Sequence, residues 1–310
     1  MKSLLSALVM LAPALAAAPA QAALDQADYV AIAASVLRVE APRQRGGYAL
    51  GSAVALASDK VVTNCHVTRD ALAVNILRGG LRYPAVGQAA DVGRDLCLLD
   101  VPGLDAQPVR IGRAMSLHVG QPVTALGYTG GTGIQNSPGE VVQLHRHDGA
   151  RVIQSSNFFN SGASGGGLFD DDGRLVGILT FRLRGGEAHY FSAPVEWVLQ
   201  MMKDSARGNF RKVVPLDTGA LPYWQAGPSQ QPRFLQAAAL QRTERWSELE
   251  RLSREWAALE PADAEPWSLL GLALERQGRA EDARHAYDCS LGLQPDAPSR
   301  PAGSPACISH

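Results

Sequence analysis

Between residues 36 and 190 the chain is a succession of short β-branched or alternating runs, each stopped within a few residues by Gly, Pro or Asp. Gly51-Ser-Ala-Val-Ala-Leu, Lys60-Val-Val-Thr, Asp95-Leu-Cys-Leu-Leu, Pro122-Val-Thr-Ala-Leu-Gly and Leu175-Val-Gly-Ile-Leu are typical. Strands this short, this closely spaced and without helical patterns between them must pair with their neighbours and close into barrels or a sandwich. The segment from Val195 to Met202, entered after Pro194, has helical character and closes that unit.

The texture then changes. From about Ser205 to residue 231 lie Pro215, Gly219, Pro222, Gly227 and Pro228, which read as a linker or a wrapping arm. Beyond it, residues 232–295 are rich in Ala, Leu, Glu, Arg and Gln at helical period. Trp267, Leu270, Gly271, Leu274, Gly278, Ala283, Tyr287, Ser290 and Pro295 fall on the spacing of a tetratricopeptide repeat, and Ala237, Leu240, Trp246, Leu249, Ser253, Trp256 and Pro261 lie a period earlier. Two such units fall short of the three needed for independent stability, so they are expected to dock on the β unit or pair with another chain. Residues 296–310 read as a loose tail.

The first residues are Met-Lys-Ser, an apolar run from Leu4 to Ala18, Pro19 and then Ala20-Gln21-Ala22, the pattern of a secretory leader cut after Ala22. The expected mature protein starts its β unit at residue 23, runs it to residue 204, and resides in a periplasm or outside the cell, off the membrane. With 29 basic against 30 acidic residues, nothing favours nucleic acid as a partner. Export makes Cys65, Cys97, Cys289 and Cys307 candidates for disulfides. The domain division favours Cys65 with Cys97 and Cys289 with Cys307; buried free thiols are the alternative for the first pair. With no C-x-x-C pair, zinc has little support.

Gly162-Ala163-Ser164-Gly165-Gly166 follows one expected strand and precedes another. Glycines on both sides permit the sharp turn that exposes a nucleophilic serine. A serine is a poor nucleophile without a base, and the base needs a third group to fix its tautomer. His66 ends a strand and enters a turn; Asp95 heads an apolar strand, where an unpartnered carboxylate is costly. An imidazole Nδ1–H is a suitable partner.

The order T-N-x-H-V, D-L-x-L-L, G-x-S-G-G resembles the HtrA/Deg branch of the chymotrypsin-like serine proteases, and the likeness runs from about Val36 to Met202. It implies an all-β fold of two six-stranded barrels with a triad of His66, Asp95 and Ser164 between them, followed here by the small all-α repeat unit. The resemblance implies no cofactor and no metal. It places the oxyanion hole at the N–H groups of Gly162 and Ser164, Phe158 at the base of the primary specificity pocket, and Thr180, Phe181 and Arg182 along the substrate wall. With no acid near Phe158, small or medium apolar residues are expected at P1. Side chains alternate along a strand, so Cys97 shares a side with Asp95, and a bridge to Cys65 would tie the two triad segments together.

Departures from the family pattern are informative. Ala163 stands where activation-dependent relatives carry an aspartate, so no activation by an N-terminal clip is expected. A tetratricopeptide-like unit occupies the place of the usual PDZ domain. His145 and His147 are expected in an exposed hairpin turn rather than in a metal pair. The expected function is exported endopeptidase, acting on protein or peptide substrates, with the repeats binding substrate or a partner protein. A latent scaffold and an esterase are the competing classes; G-x-S-x-G esterases need a strand-to-helix elbow that the all-β pattern does not offer.

Overall fold

The computed structural model describes residues 26–130, 133–183, 189–205, 209–216, 219–293 and 307. The leader-like segment with its expected cut after Ala22, and the tail apart from Cys307, lie outside the described residues. A helix α1 (Gln26–Ser35) leads into β1 (Val36–Pro42), β2 (Tyr48–Ala57), β3 (Lys60–Thr63), the single turn α2 (Cys65–Thr68), β4 (Asn75–Arg78), β5 (Leu81–Pro84), β6 (Gly87–Asp91) and β7 (Leu96–Asp100). A second set follows: β8 (Pro122–Thr129), β9 (Gly133–His147), β10 (Ala150–Ser155), β11 (Gly167–Asp170), β12 (Leu175–Leu183), β13 (His189–Pro194) and α3 (Val195–Ser205).

The second set closes into a six-stranded antiparallel barrel in the order β10-β13-β12-β11-β8-β9. The first set differs from the expected six-stranded barrel. It is an eight-stranded sheet, β14-β6-β7-β3-β2-β1-β4-β5, whose outermost strand β14 (Arg211–Lys212) comes from the linker-like segment. At the other edge, β5 has only four residues and ends at Pro84, which has no N–H for a further ladder. The first unit buries Leu37, Val39, Val61, Ile76 and Leu99 in its own core; the barrel does the same with Val123, Ile153, Leu168 and Val176. A third cluster containing Val54, Leu96, Leu126, Phe169, Ile178, Phe191 and Trp197 joins the two.

Among the described residues four helices follow: α4 (Arg233–Arg242), α5 (Trp246–Leu259), α6 (Glu265–Arg276) and α7 (Ala280–Gly292). They form two hairpins packed in series, and Gly271 lies under the Tyr287 ring, where a Cβ would sit 2.6 Å from it. Their docking is explicit. Phe234, Leu235 and Trp256 belong to the cluster that joins the two β units, and Phe234 stacks on His145 at 4.4 Å. His145 Nδ1 donates to Glu265 Oε1 at 2.7 Å, and both residues are buried.

That contact overturns the expectation that His145 and His147 sit in an exposed hairpin. The turn itself, Asp148-Gly149 with φ of 45° and 75°, does link β9 to β10. The helices cover His145, however, and Tyr223 packs against His147 at 4.9 Å. Among the described residues neither histidine joins a cluster with metal-ligand geometry. No helix of the described residues is long and apolar enough to cross a membrane.

Candidate active site

The aspartate is set by its backbone. Asp95 has φ 61°, a left-handed conformation in which Asp is more at home than most residues, and its carbonyl accepts from Cys65 N at 3.2 Å and Asn64 Nδ2 at 3.0 Å. These bonds fasten the head of β7 to the turn that carries His66. The carboxylate then meets the histidine twice: Oδ1 accepts from the His66 backbone N–H at 2.8 Å and Oδ2 from Nδ1 at 2.6 Å. Asp95 is buried and His66 half-buried, so one imidazole nitrogen is fixed by the carboxylate. Cys65 and Cys97 flank the pair with Cα atoms 5.0 Å apart and are bridged, as are Cys289 and Cys307 at 5.6 Å.

The serine arrives from the barrel. Its loop is bent by Gly162 at φ 98° and Gly165 at φ 86°; at Gly165 a Cβ would lie 2.1 Å from the Ser52 carbonyl oxygen, so only glycine fits. Residues Gly51 and Ser52 of β2 hold this loop from the first unit. Ser52 N donates to the Ser164 carbonyl at 2.8 Å, and Ser52 Oγ donates to the Gly162 carbonyl at 2.8 Å while accepting from Tyr128 N. Gly51 serves as a ruler: a Cβ there would touch both Val67, next to His66, at 2.6 Å and the Ser164 carbonyl at 3.3 Å. The histidine turn and the serine loop are therefore separated by about the width of one glycine. Among the described residues Ser164 Oγ makes no hydrogen bond to the imidazole, and neither Gly162 N nor Ser164 N donates to a protein acceptor. Two N–H groups on the serine loop, one residue apart from each other across Ala163 and without a protein acceptor among the described residues, are available to stabilise an oxyanion.

Residues 51–178 match the trypsin-like peptidase domain. That stretch is similar to a trypsin-like peptidase domain. His66, Asp95 and Ser164 all fall inside the matched stretch. A probable periplasmic serine endoprotease, DegP-like, of Ectopseudomonas mendocina is 34% identical over 172 residues, covering 51% of this chain and 35% of that protein. Serine protease HTRA4 of Mus musculus is 28% identical over 168 residues, covering 50% and 34%. Among solved structures, the HtrA-type protease AlgW with tripeptide superposes with a TM-score of 0.53 at 26% identity, covering 57% of this chain and 62% of that one. The Rv3671c protease from M. tuberculosis, active form, shares the fold at a TM-score of 0.55 and 23% identity, covering 68% of this chain and 99% of that one. The chain spans about a third of the length of these curated relatives.

Away from the segments that carry His66, Asp95 and Ser164, the expected substrate wall is only partly open. Phe158 is 48% exposed, edge-on to Tyr190. Arg182 is half-buried and donates to Asn160 Oδ1 at 2.8 Å, which ties β12 to the serine loop. Thr180 does not line a wall: it is buried, donates to the Ile178 carbonyl at 2.8 Å and accepts from Asn64 Nδ2 and Ala193 N. Phe181 is covered too, stacked between Phe191 at 4.7 Å and Trp224 at 4.9 Å. The cause is a register shift between Leu179 and Phe181, which breaks the alternation that a regular strand would impose.

Sequence reading missed the residues that cover this region. The segment after α3 is a strap, the wrapping-arm alternative of the sequence reading and not a free linker. Arg211 and Lys212 pair with β6, Leu216 N donates to the Arg69 carbonyl at 2.7 Å, and Tyr223 N donates to the Gly93 carbonyl at 3.0 Å. The strap's Trp224 places Nε1–H 3.2 Å from Asp95 Oδ2 and its ring edge-on to His66. Burial pushes the neighbouring Tyr223 phenol well above its usual range, and the negative charge of Asp95 adds to this. Burial likewise lowers His147 below its ordinary value, with Asp148 opposing and Arg94 assisting. The available signal was Tyr223-Trp224, two adjacent aromatics in an otherwise Pro- and Gly-rich segment.

Proposed function

We propose that the protein is an exported serine endopeptidase acting on protein or peptide substrates through His66, Asp95 and Ser164. The observation that carries this reading is the 2.6 Å hydrogen bond from His66 Nδ1 to a buried carboxylate, set beside a glycine-bent serine loop with two unclaimed N–H groups. In the proposed cycle Ser164 Oγ attacks the scissile carbonyl and passes its proton to His66 Nε2; the Oγ–Nε2 hydrogen bond tightens only as substrate binds. Asp95 holds the ring so that Nε2 faces the serine and stabilises the imidazolium that forms. The negative oxygen of the tetrahedral intermediate is held by Gly162 N–H and Ser164 N–H, a contribution of about 3–4 kcal/mol per donor in comparable sites. His66 then returns the proton to the leaving amine, and water releases the acyl group by the same steps.

In this reading the leader directs the chain to the periplasm or beyond, and the bridge from Cys65 to Cys97 suits that oxidising setting. Phe158 and Arg182 border the primary pocket, which takes small or medium apolar side chains. The helical hairpins, read as two tetratricopeptide-like units, dock on the β units through α4, α5 and α6, which leaves α7 to meet a substrate or partner protein. Casein cleavage by residues 23–310, set beside the Ser164→Ala variant, tests the reading. Cleavage by the parent alone supports it; equal cleavage by both, or by neither, overturns it.

A further inference from the structure

The Asp95 carboxylate accepts three hydrogen bonds, and only two of them come from the peptidase domain. His66 supplies its backbone N–H and Nδ1–H; the third donor is Trp224, more than a hundred residues along the chain and outside the matched stretch. Thr180, close by on β12, is engaged with Ile178, Ala193 and Asn64. We propose that Trp224 is a positioning residue of the active site, its indole N–H completing the hydrogen-bond set of Asp95 and so fixing the orientation of the His66 ring.

Three features carry the inference. First, the indole bonds the same oxygen, Oδ2, that receives Nδ1–H. It therefore adds to the histidine–aspartate bond instead of displacing it, and a carboxylate oxygen has two lone pairs to accept both. Second, Trp224 is held from every side. Its ring stacks flat on Phe181 at an interplanar angle of 6°, its carbonyl accepts from Gln231 Nε2 at 3.1 Å, and Tyr223 before it is anchored to the Gly93 carbonyl, two residues from Asp95. Third, the strap is fixed at both ends, by β14 on β6 and by α4, whose Phe234 stacks on His145. A partly buried donor held in this way acts by pre-organisation: it costs no reorganisation when the imidazolium forms. It also shields the inner oxygen of Asp95 from water. The active site is thereby completed by a segment that the helical hairpins hold in place.

The catalytic half of this inference rests on the endopeptidase reading; the positioning half does not. The decisive variant replaces the Trp224 indole by the isosteric benzothiophene, which keeps shape and stacking and removes only the N–H; Trp224→Phe is the second variant. The expected result is a fall of about tenfold in kcat with KM within twofold, since the lost interaction serves the transition state and not ground-state binding. In the same samples the His66 Nδ1 proton, followed by NMR, exchanges with solvent about tenfold faster. Should the parent hydrolyse no peptide, the endopeptidase reading fails while the exchange rate still decides whether Trp224 orders the ring. Unchanged kcat and unchanged exchange in the benzothiophene variant overturn the inference. So does a change confined to KM, which makes Trp224 a substrate contact, or a rise in kcat, which makes the strap an inhibitor.

Discussion

Replacing Glu265 by Ala should loosen the helical hairpins from the barrel. Glu265 Oε1 accepts from His145 Nδ1 at 2.7 Å, and both side chains are less than a tenth exposed, so water cannot substitute for a missing partner. A hydrogen bond to a charged acceptor contributes about 1.5–3 kcal/mol, and the N–H left behind adds a desolvation penalty of about 1–3 kcal/mol. Glu265 Oε2 has no partner, which already weakens the pair and argues for the lower half of the combined range, about 3 kcal/mol. For a chain of this size that corresponds to a fall of roughly 6–12 °C in the temperature at which the hairpins detach. Thermal unfolding followed by circular dichroism reads the shift, and proteolysis across the strap reports the detachment. His145→Phe preserves the ring stacked on Phe234, so a double-mutant cycle isolates the pair, with an expected coupling above about 1.5 kcal/mol. A loss below about 0.5 kcal/mol, or a coupling near zero, would refute the argument.

Other consequences can be checked in the same preparation. Replacing Cys65 and Cys97 by Ser opens a loop spanning 32 residues, which should cost about 3–4 kcal/mol in chemical denaturation and lower activity by freeing the turn that holds His66. His147 is depressed below its ordinary value of 6.5, so the unfolded chain takes up the proton first; the contribution to stability is full above pH 6.5 and is lost as pH falls toward the folded value. His147→Phe should therefore narrow the difference in unfolding temperature between pH 7 and pH 5, and an identical difference would contradict the burial argument. Asp263 is shifted the other way, raised above 3.8 chiefly by burial, with the hydrogen bond from the Glu265 backbone N–H opposing and the Glu265 charge assisting, so its contribution is present below pH 3.8 and is lost as pH rises through the folded value. Asp263→Asn keeps an acceptor for Glu265 N and removes the charge, and should stabilise the protein at pH 7, as read from denaturant midpoints; an unchanged midpoint would contradict the burial argument.

Much of this architecture was legible because it is written locally. Asp95-Leu-Cys-Leu-Leu reads as a buried strand because four consecutive residues are apolar, and β7 is buried on both faces as that implies. The helical segments were equally plain: Gly271 and Tyr287 mark the hairpin that forms α6 and α7. The meeting of His66 with Asp95 followed from the cost of leaving a carboxylate unpaired at the head of such a strand. What stayed hidden depends on tertiary contact. No periodicity reveals that Arg211 and Lys212 add a strand to β6, or that a segment rich in Pro and Gly carries a tryptophan to the Asp95 carboxylate. Thr180 and Phe181 were expected on an open wall because the family resemblance put them there, and a resemblance does not reveal the bulge between Leu179 and Phe181 or the aromatic rings that cover them. His145 was read as exposed because a hairpin turn predicts its own geometry and not what packs over it.

The most direct test of the central claim is covalent labelling by a fluorophosphonate, read by mass spectrometry of the intact protein and its peptides. One adduct per chain is expected, on Ser164, formed rapidly by the parent protein and about a hundredfold more slowly when His66 is replaced by Ala. An adduct on another residue, or labelling of Ser164 at the same rate without His66, would contradict it.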